Sequence, residues 1–468
     1  MDNLKAKSII LLFLIVFLVV GCSSSGHMDN YNPSQESTES TAVSEPVTIL
    51  KYAQWSVPLT DVVEEAIKDY SDTNQDNIRV ELVKIPRSRY NDTINMLLSS
   101  GDGPDVFEAR SEWLFSYIYK NWLYELTDRV EESFLADFPE WAKKLAYDDK
   151  FANHFYSIPS NQVTYRLIYN KDLFKRAGLN PERPPKNLDE LVSFAKKITD
   201  SGIGDRIYGF ALPANDIWNG FIQPMEAINF YSGKYFFDYK EGTYDLNVYQ
   251  PWFEAFMSLK ESKTIFPGEM TMKEDLALLQ FAEGNIGMMF APSWEPVLLH
   301  KLFSTKCNWA VALPPSVNLE NAGKGYIGID ASGWQVVNNR SVNLNKAILF
   351  WKYIYSKEYN TKLYHEGCLL PVMNDIITDP GKKPEVLNFD KFMPGQWDAV
   401  YPPTPLDIDE FSRANVYISI FNGLLPLESG LTNESYRLNM LLDKYGITGR
   451  VNIKNYTDPD IHSSAVTN

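Results

Sequence analysis

Val47-Thr48-Ile49-Leu50-Lys51-Tyr52-Ala53 is β-branched and apolar, and it reads as a buried first strand. The segments next in the chain decide the sheet it joins. Leu59, Val62, Val63, Ala66, Ile67 and Tyr70 recur at three- and four-residue spacing with Asp61, Glu64, Glu65 and Lys68 between them, the pattern of a helix with one apolar face. Ile78 to Ile85 then reads as a second strand and Tyr90 to Leu98 as a second helix. Gly101-Asp102-Gly103-Pro104 reads as a turn into a short strand around Val106. Alternating strands and helices need crossover connections. A mostly parallel sheet with helices on both faces is therefore expected, with ligands gathering at the carboxyl ends of its strands.

A second α/β unit opens at Tyr156-Ser157-Ile158-Pro159. It passes through Leu167-Ile168-Tyr169 into a helix that Asn170 can cap and Gly178 can end. After Pro184-Pro185 a further helix carries Leu188, Leu191, Val192, Ala195 and Ile198 on one face, and Asn187 with Glu190 has the spacing of a capping box. Phe281-Ala282-Glu283-Gly284-Asn285 ends another helix, Ile286 to Phe290 reads as a strand, and Leu313-Pro314-Pro315 reads as a connection between lobes. Leu344 to Tyr355 reads as a late helix, and the chain shows no internal repeat.

The N-terminus has a different character. Lys5 and Lys7 precede an unbroken apolar run from Ile9 to Val20, and Gly21 stands directly before Cys22, the order of an export signal. The run is shorter than the roughly 20 residues a membrane-spanning helix needs. A cysteine at that boundary resembles the lipobox of bacterial lipoproteins, in which the thiol is acylated and the cysteine becomes the new N-terminus. The alternative is a simple secreted protein with Cys22 there by chance. Residues 1–21 are thus read as a lipoprotein signal peptide. Residues 22–46, rich in Ser, Thr, Asn, Glu and Pro, are read as a disordered tether.

About 420 residues remain, too many for one core, so two or more lobes are expected. A net charge of −16 argues against nucleic acid or an anionic membrane surface as a partner. After Cys22 only Cys307 and Cys368 occur, which excludes a disulfide framework and a multi-cysteine metal site; one bridge or two free thiols remain open. With 11 Trp, 27 Tyr and 26 Phe, the chain has rings enough for a core and for a site that stacks on flat ligand faces.

Five segments, in one order behind the lipobox, carry a resemblance. They are Ser99-Ser100-Gly101-Asp102-Gly103-Pro104-Asp105-Val106; Tyr156-Ser157-Ile158-Pro159; Ile168-Tyr169-Asn170-Lys171-Asp172-Leu173-Phe174 with Ala177-Gly178-Leu179 and Pro184-Pro185; Phe281 to Met289 with Trp294; and Gly367-Cys368-Leu369-Leu370-Pro371-Val372. Together they are similar to the extracellular solute-binding proteins of ABC importers, in the family that takes sugars and oligosaccharides. The resemblance covers Val47 to about Val372, and the segment from Pro394 to Pro405 departs from it.

The resemblance implies an α/β, two-lobed, periplasmic-binding-protein-like fold with the ligand cleft between lobes, each lobe a mostly parallel sheet flanked by helices. It places residues 47–158 with 314–375 in one lobe and 159–313 with 376–468 in the other, the chain crossing near Ser157 to Gln162 and near Leu313 to Ser316. It further implies a monomer held by a lipid on Cys22 at the outer face of the bacterial cell membrane. Closure of its lobes on a carbohydrate, read by the permease subunits, would be its signal. No cofactor, metal or catalytic residue is implied.

A sugar offers an apolar face of C–H groups and a rim of hydroxyls, so its site needs aromatic platforms with planar amides, carboxylates or guanidinium groups. Gln54 and Trp55 follow the first strand, where such folds place ligand contacts. Arg110 and Glu112, with Ser111 and Trp113, follow the Val106 strand, in a loop that the family uses for hydroxyl binding. Asn161 and Tyr165 lie at the first crossover, and Trp218 and Asn219 in the loop after Tyr208-Gly209-Phe210. Trp294 matches an aromatic platform common in the family, and Asp330 and Trp334 lie where the family lines the cleft. Each also has an ordinary packing role open to it. Trp113 can pack inward with Leu114, Tyr117 and Ile118, whereas Trp122, Trp141, Trp252, Trp309 and Trp351 read as core and Asp105 as a turn residue. Arg87, Arg89, Arg110 and Arg166 could each grip the carboxylate of an acidic sugar, with a solvated side chain the ordinary reading of Arg87 and Arg89.

Other signals fall away. Gly323-Lys324-Gly325-Tyr326-Ile327-Gly328 spells a dinucleotide fingerprint but leads into a strand, so the phosphate cradle is missing. Asp72, Asn74 and Asp76 imitate a calcium loop without its glycine or its final Glu, and read as a helix-ending turn. Two alternatives to a sugar-binding module stay open: an exported glycoside hydrolase, for which no carboxylate pair stands out, and a binding protein for a non-sugar solute.

Overall fold

The first strand lies at the heart of a sheet. In the computed structural model, which describes residues 46–56, 59–148, 151, 153–401, 404–406, 410–447 and 452–457, the strands run in chain order. They are β1 (Thr48–Ser56), β2 (Ile78–Pro86), β3 (Val106–Ala109), β4 (Pro159–Val163), β5 (Tyr165–Asn170), β6 (Tyr208–Phe210), β7 (Phe237–Asp238), β8 (Thr243–Tyr244), β9 (Ile286–Pro292), β10 (Trp309–Ala312), β11 (Ile327–Val337), β12 (Leu370–Pro371) and β13 (Asp398–Val400). Cys22, the apolar run before it and nearly all of the proposed tether lie outside the described residues.

Two main sheets form. A seven-stranded sheet has the order β12-β4-β11-β3-β1-β2 with β13 beside β11, and a four-stranded sheet has the order β10-β5-β9-β6; β7 and β8 pair by themselves. The helix Thr60–Thr73 buries Val62, Val63, Ala66 and Ile67, the face its spacing predicts. Tyr90, Ile94 and Leu98 do the same for the helix Tyr90–Ser100, which ends at Gly101 with φ of +89°, a conformation that favours glycine. In the second unit Asn170 caps the helix Lys171–Arg176 by accepting from the amides of Asp172 and Leu173. Asn187 accepts from the Glu190 amide, but the Glu190 carboxylate takes the Lys186 amide, so the capping box closes on the preceding residue.

The sheets are mixed, where a mostly parallel arrangement was expected. β1 runs parallel to β2 and β3, and β11 parallel to β13, yet β11 is antiparallel to β3 and β4, and β4 to β12. In the smaller sheet β5 is antiparallel to β9 and β10, and only β6 and β9 run parallel. Strand–helix alternation dictates parallel pairing only within one run of crossovers. β4 follows β3 through helices and runs the same way as β3, and β12 follows β11 through helices and runs the same way as β11; the reversal comes where β11 enters from the other sheet, over residues 313–326, and lies against β3 and β4.

The chain passes between the sheets at the buried Thr164, which separates β4 from β5, and again over residues 313–326 between β10 and β11. A third passage follows β12 and ends in the helices Glu410–Phe421 and Leu427–Ile447, whose Ala414, Tyr417, Leu431 and Leu438 join the core around β5 and β9. This last passage is stapled by a buried ion pair: Arg166 on β5 donates to both carboxylate oxygens of Asp398 on β13, at 2.9 and 2.8 Å. Arg166 is thus committed to a partner within the chain and does not stand ready for an acidic ligand. Cys307 and Cys368 are free thiols.

Candidate functional site

The carboxyl ends of β1, β2, β3 and β9, together with β4, β11 and the Trp218 turn, wall a cleft of about 1070 Å³ between the two sheets. Of the sequence-predicted residues, Gln54, Trp55, Arg110, Glu112, Asn161, Trp218, Asn219, Trp294, Asp330 and Trp334 all line it. Tyr165 does not. It is buried behind the wall, where its hydroxyl donates to Asn219 Oδ1 at 2.8 Å and so fixes the orientation of that amide.

Local sequence explains how each group is presented. Trp218 to Ile222 forms a π-type turn, closed by the Gln223 amide bonding to the Trp218 carbonyl. Pro224, next in the chain, has no N–H to offer an ordinary helical turn. Gly220 permits the turn, because a Cβ there would stand 2.0 Å from the Pro213 carbonyl oxygen. Asp216 accepts from the Asn219 backbone amide at 3.1 Å and from its side-chain amide at 3.3 Å. The result aims Trp218 and Asn219 at the cleft.

On the seven-stranded side the Trp55 ring meets Tyr90 edge-on at 5.1 Å, and Tyr90 in turn stacks on Trp113 at 6.3 Å. Arg110 lies 5.7 Å over the Trp113 ring and 3.5 Å from Glu112. Trp113 therefore serves both roles open to it, packing against Tyr117 while lining the cleft. Trp334 is almost wholly buried, its indole N–H held by the Ala331 carbonyl at 2.9 Å, so it forms a wall from beneath and offers no open platform. Trp122, Trp252, Trp309 and Trp351 are core residues, as expected. Asp105 ties β1 to the segment after β11, accepting from the Lys51 amide and the Ser341 hydroxyl.

Sequence reasoning left a set of charged residues outside its main site, naming Arg87 only as one arginine that an acidic sugar could use. Arg87, read as solvated, reaches across the cleft: its guanidinium lies 3.6 Å from Asp216, 3.7 Å from Glu274 and 5.7 Å over the Trp294 ring. It directly follows β2, so the strand-end rule that selected Gln54 would have found it. A second link crosses the cleft where the Trp218 side chain bonds the Asp330 carboxyl. Burial, aided by Glu112, pushes that carboxyl up to about 7 against the pull of Arg110 and Arg87.

Glu108 in β3 is 5 % exposed, and burial pushes its carboxyl up to about 8. Glu295, directly after Trp294, is held well above the usual carboxylate range by burial and by Glu274 and Asp275. Glu108 Oε2, Glu295 Oε2, Gln54 Oε1 and Asn161 Oδ1 are buried and have no partner among the described residues. The segment that departs from the resemblance also contributes, since Tyr401 lines the cleft and its hydroxyl donates to Gln223.

Two sheets joined by crossing strands around a cleft of aromatic rings and planar polar groups define a two-lobed solute-binding fold. The sequence matches the family described as bacterial extracellular solute-binding protein over residues 56–361, and the chain belongs to that family. The maltotriose-binding protein of Pyrococcus abyssi is 23% identical over 311 residues, 64% of this chain and 62% of that protein. The sn-glycerol-3-phosphate-binding periplasmic protein UgpB of Shigella flexneri is 26% identical over 233 residues, 48% of this chain and 51% of that one. The chain thus spans between half and two thirds of the length of these relatives.

Similar solved structures include a solute-binding protein of Thermotoga lettingae bound with α-D-tagatose, with a TM-score of 0.68 at 21% identity over 84% of this chain and 99% of that one. The GacH receptor of Streptomyces glaucescens, solved without ligand and with acarbose, gives 0.69 at 18% identity over 85% and 99%. These likenesses bear on the fold. Among the described residues no helix is long and apolar enough to cross a membrane.

Proposed function

We propose that the protein is the substrate-binding component of an ABC importer that captures a carbohydrate, an oligosaccharide, by lobe closure and hands it to membrane permease subunits without breaking a covalent bond. The cleft is the observation that carries this reading. It combines the open or half-open rings of Trp55, Trp113, Trp218 and Trp294 with buried carboxyl and amide oxygens. Its volume of about 1070 Å³ lies at the top of the roughly 300–1,000 Å³ range of small-molecule sites, more room than one sugar ring needs.

In this reading Gln54, Trp55, Arg110, Glu112, Asn161, Trp218, Asn219, Trp294 and Asp330 touch the ligand, while Tyr165 and Trp334 support them. One lobe is built on the seven-stranded sheet and the other on the four-stranded sheet. The protein acts as a monomer, outside the cytoplasm, held to the membrane by a lipid on Cys22. Replacing Cys22 by Ser should release it from the membrane fraction.

A thermal-shift panel of mono- and oligosaccharides on the purified full-length protein tests the central claim. A ligand at about 100 times its Kd stabilises by roughly 2.7 kcal/mol. With an unfolding entropy near 0.9 kcal/mol/K for about 420 residues, that is about 3 °C. A shift with one glycan class that disappears in Trp294→Ala is the expected result. Shifts only with peptides, polyamines or glycerol phosphate would leave the scaffold and remove the carbohydrate. Hydrolysis of any bound glycan would favour the glycosidase alternative.

A further inference from the structure

The four-stranded side of the cleft is a wall of acids. Asp216, Glu274, Asp275 and Glu295 all line it. Glu295 is 2 % exposed, its Oε2 has no partner among the described residues, and the charged groups acting on it are Glu274 and Asp275, both acids. Near these acids the cleft is lined by the exposed Lys273 and by Arg87, which reaches over from the end of β2 and is shared between Asp216 and Glu274; Arg413, which also lines the cleft, is paired with Glu226. On the facing wall Glu108 presents a second buried carboxyl oxygen without a partner, near Arg87 and Arg110, and Gln54 Oε1 and Asn161 Oδ1 add two more acceptors.

A buried polar oxygen left unpaired costs roughly 1–3 kcal/mol; the two amide oxygens can only accept, and a cation beside the two carboxyls favours their ionised, accepting form, so the ligand that fits is one that brings donors with positive charge. A carboxylate, phosphate or sulfate supplies none and adds repulsion. A hydroxyl supplies one donor together with lone pairs. An ammonium supplies three donors, no lone pair and a positive charge, and the bare π-face of an indole attracts it further. The Trp294 ring beside Glu295 already has a cation over it, the Arg87 guanidinium at 5.7 Å. We propose that the cleft selects an amine-bearing carbohydrate, a sugar with a free amino group, whose ammonium is held between Glu295 and the Trp294 ring. The inference rests on the carbohydrate reading and narrows it to one class.

Burial and two neighbouring acids raise the hold of Glu295 on its proton, and a cation placed beside it lowers that hold. An ammonium ligand therefore favours the ionised carboxylate, and a neutral sugar does not.

Trimers matched in linkage and length separate the outcomes. Titration calorimetry of the full-length protein at physiological ionic strength compares the β-1,4 trimers of glucosamine, N-acetylglucosamine and glucose with maltotriose, a galacturonate trimer and trilysine. At about pH 6, where its amines are largely protonated, the glucosamine trimer should bind at least about tenfold tighter than any other. Glu295→Gln should remove that preference. An N-acetylated, neutral or anionic trimer that binds as tightly, or a preference that survives Glu295→Gln, overturns the inference and leaves the carbohydrate reading standing. Equal binding of trilysine assigns the preference to bulk charge and also overturns it. Failure of every sugar, with binding of a non-sugar solute, overturns both.

Discussion

Replacing Glu108 by Gln should stabilise the protein, and do so far more at pH 8 than at pH 5. The side chain is buried in β3, and burial outweighs Arg87 and Arg110 to hold its carboxyl at about 8, against 4.5 for an ordinary Glu. Below the ordinary value both folded and unfolded chains carry the proton, and the group costs nothing. As pH rises through that value the unfolded chain ionises first, so stability falls until the folded value is passed. At about 1.4 kcal/mol per tenfold in acidity, the cost is about 4 kcal/mol at pH 8 and under about 1 kcal/mol at pH 5. Gln keeps the shape and never ionises, so it removes this cost in both states.

With an unfolding entropy near 0.9 kcal/mol/K, the variant should melt about 4 °C higher at pH 8 and about 1 °C higher at pH 5. Differential scanning calorimetry of both proteins at the two pH values gives the answer. An equal shift at both, or a lower Tm for the variant at pH 8, would refute the claim that Glu108 is desolvated in the folded protein.

Asp398→Ala leaves Arg166 charged and buried without its partner, and should destabilise by about 3–5 kcal/mol in chemical denaturation. The double variant Arg166→Met/Asp398→Leu should recover most of that loss. Gly220→Ala drives a methyl group into the Pro213 carbonyl, so the Trp218 turn must shift; a loss of about 1–3 kcal/mol, with weaker ligand binding by calorimetry, is expected. Trp294→Ala should weaken binding of the cognate glycan by more than about tenfold with little change in Tm, because the ring is only partly buried.

The elements were legible because their signals are local. The apolar spacing from Leu59 to Tyr70 gave the first helix, which spans Thr60–Thr73, and the run Ile78 to Ile85 gave β2, which spans Ile78–Pro86. Asn170 capped its helix for the same short-range reason. Strand direction was not legible. β11 pairs with β3, more than 200 positions away in the chain, and nothing in Ile327 to Val337 states which way its neighbour runs.

The site divides along the same line. Aromatic residues such as Trp294 and Trp218 could be nominated from position after a strand, whereas the charges that tune the cleft could not. Arg87 acquires its role from Asp216, Glu274 and Trp294, which the fold delivers from three other segments. Glu108 did carry a trace in Val106-Phe107-Glu108-Ala109, an acid inside a short strand with every residue buried. A carboxylate in such a run is either an interruption or a group kept dry on purpose, and only burial on both faces of the sheet distinguishes the two. The pH dependence of Glu108→Gln is the solution measurement of that distinction.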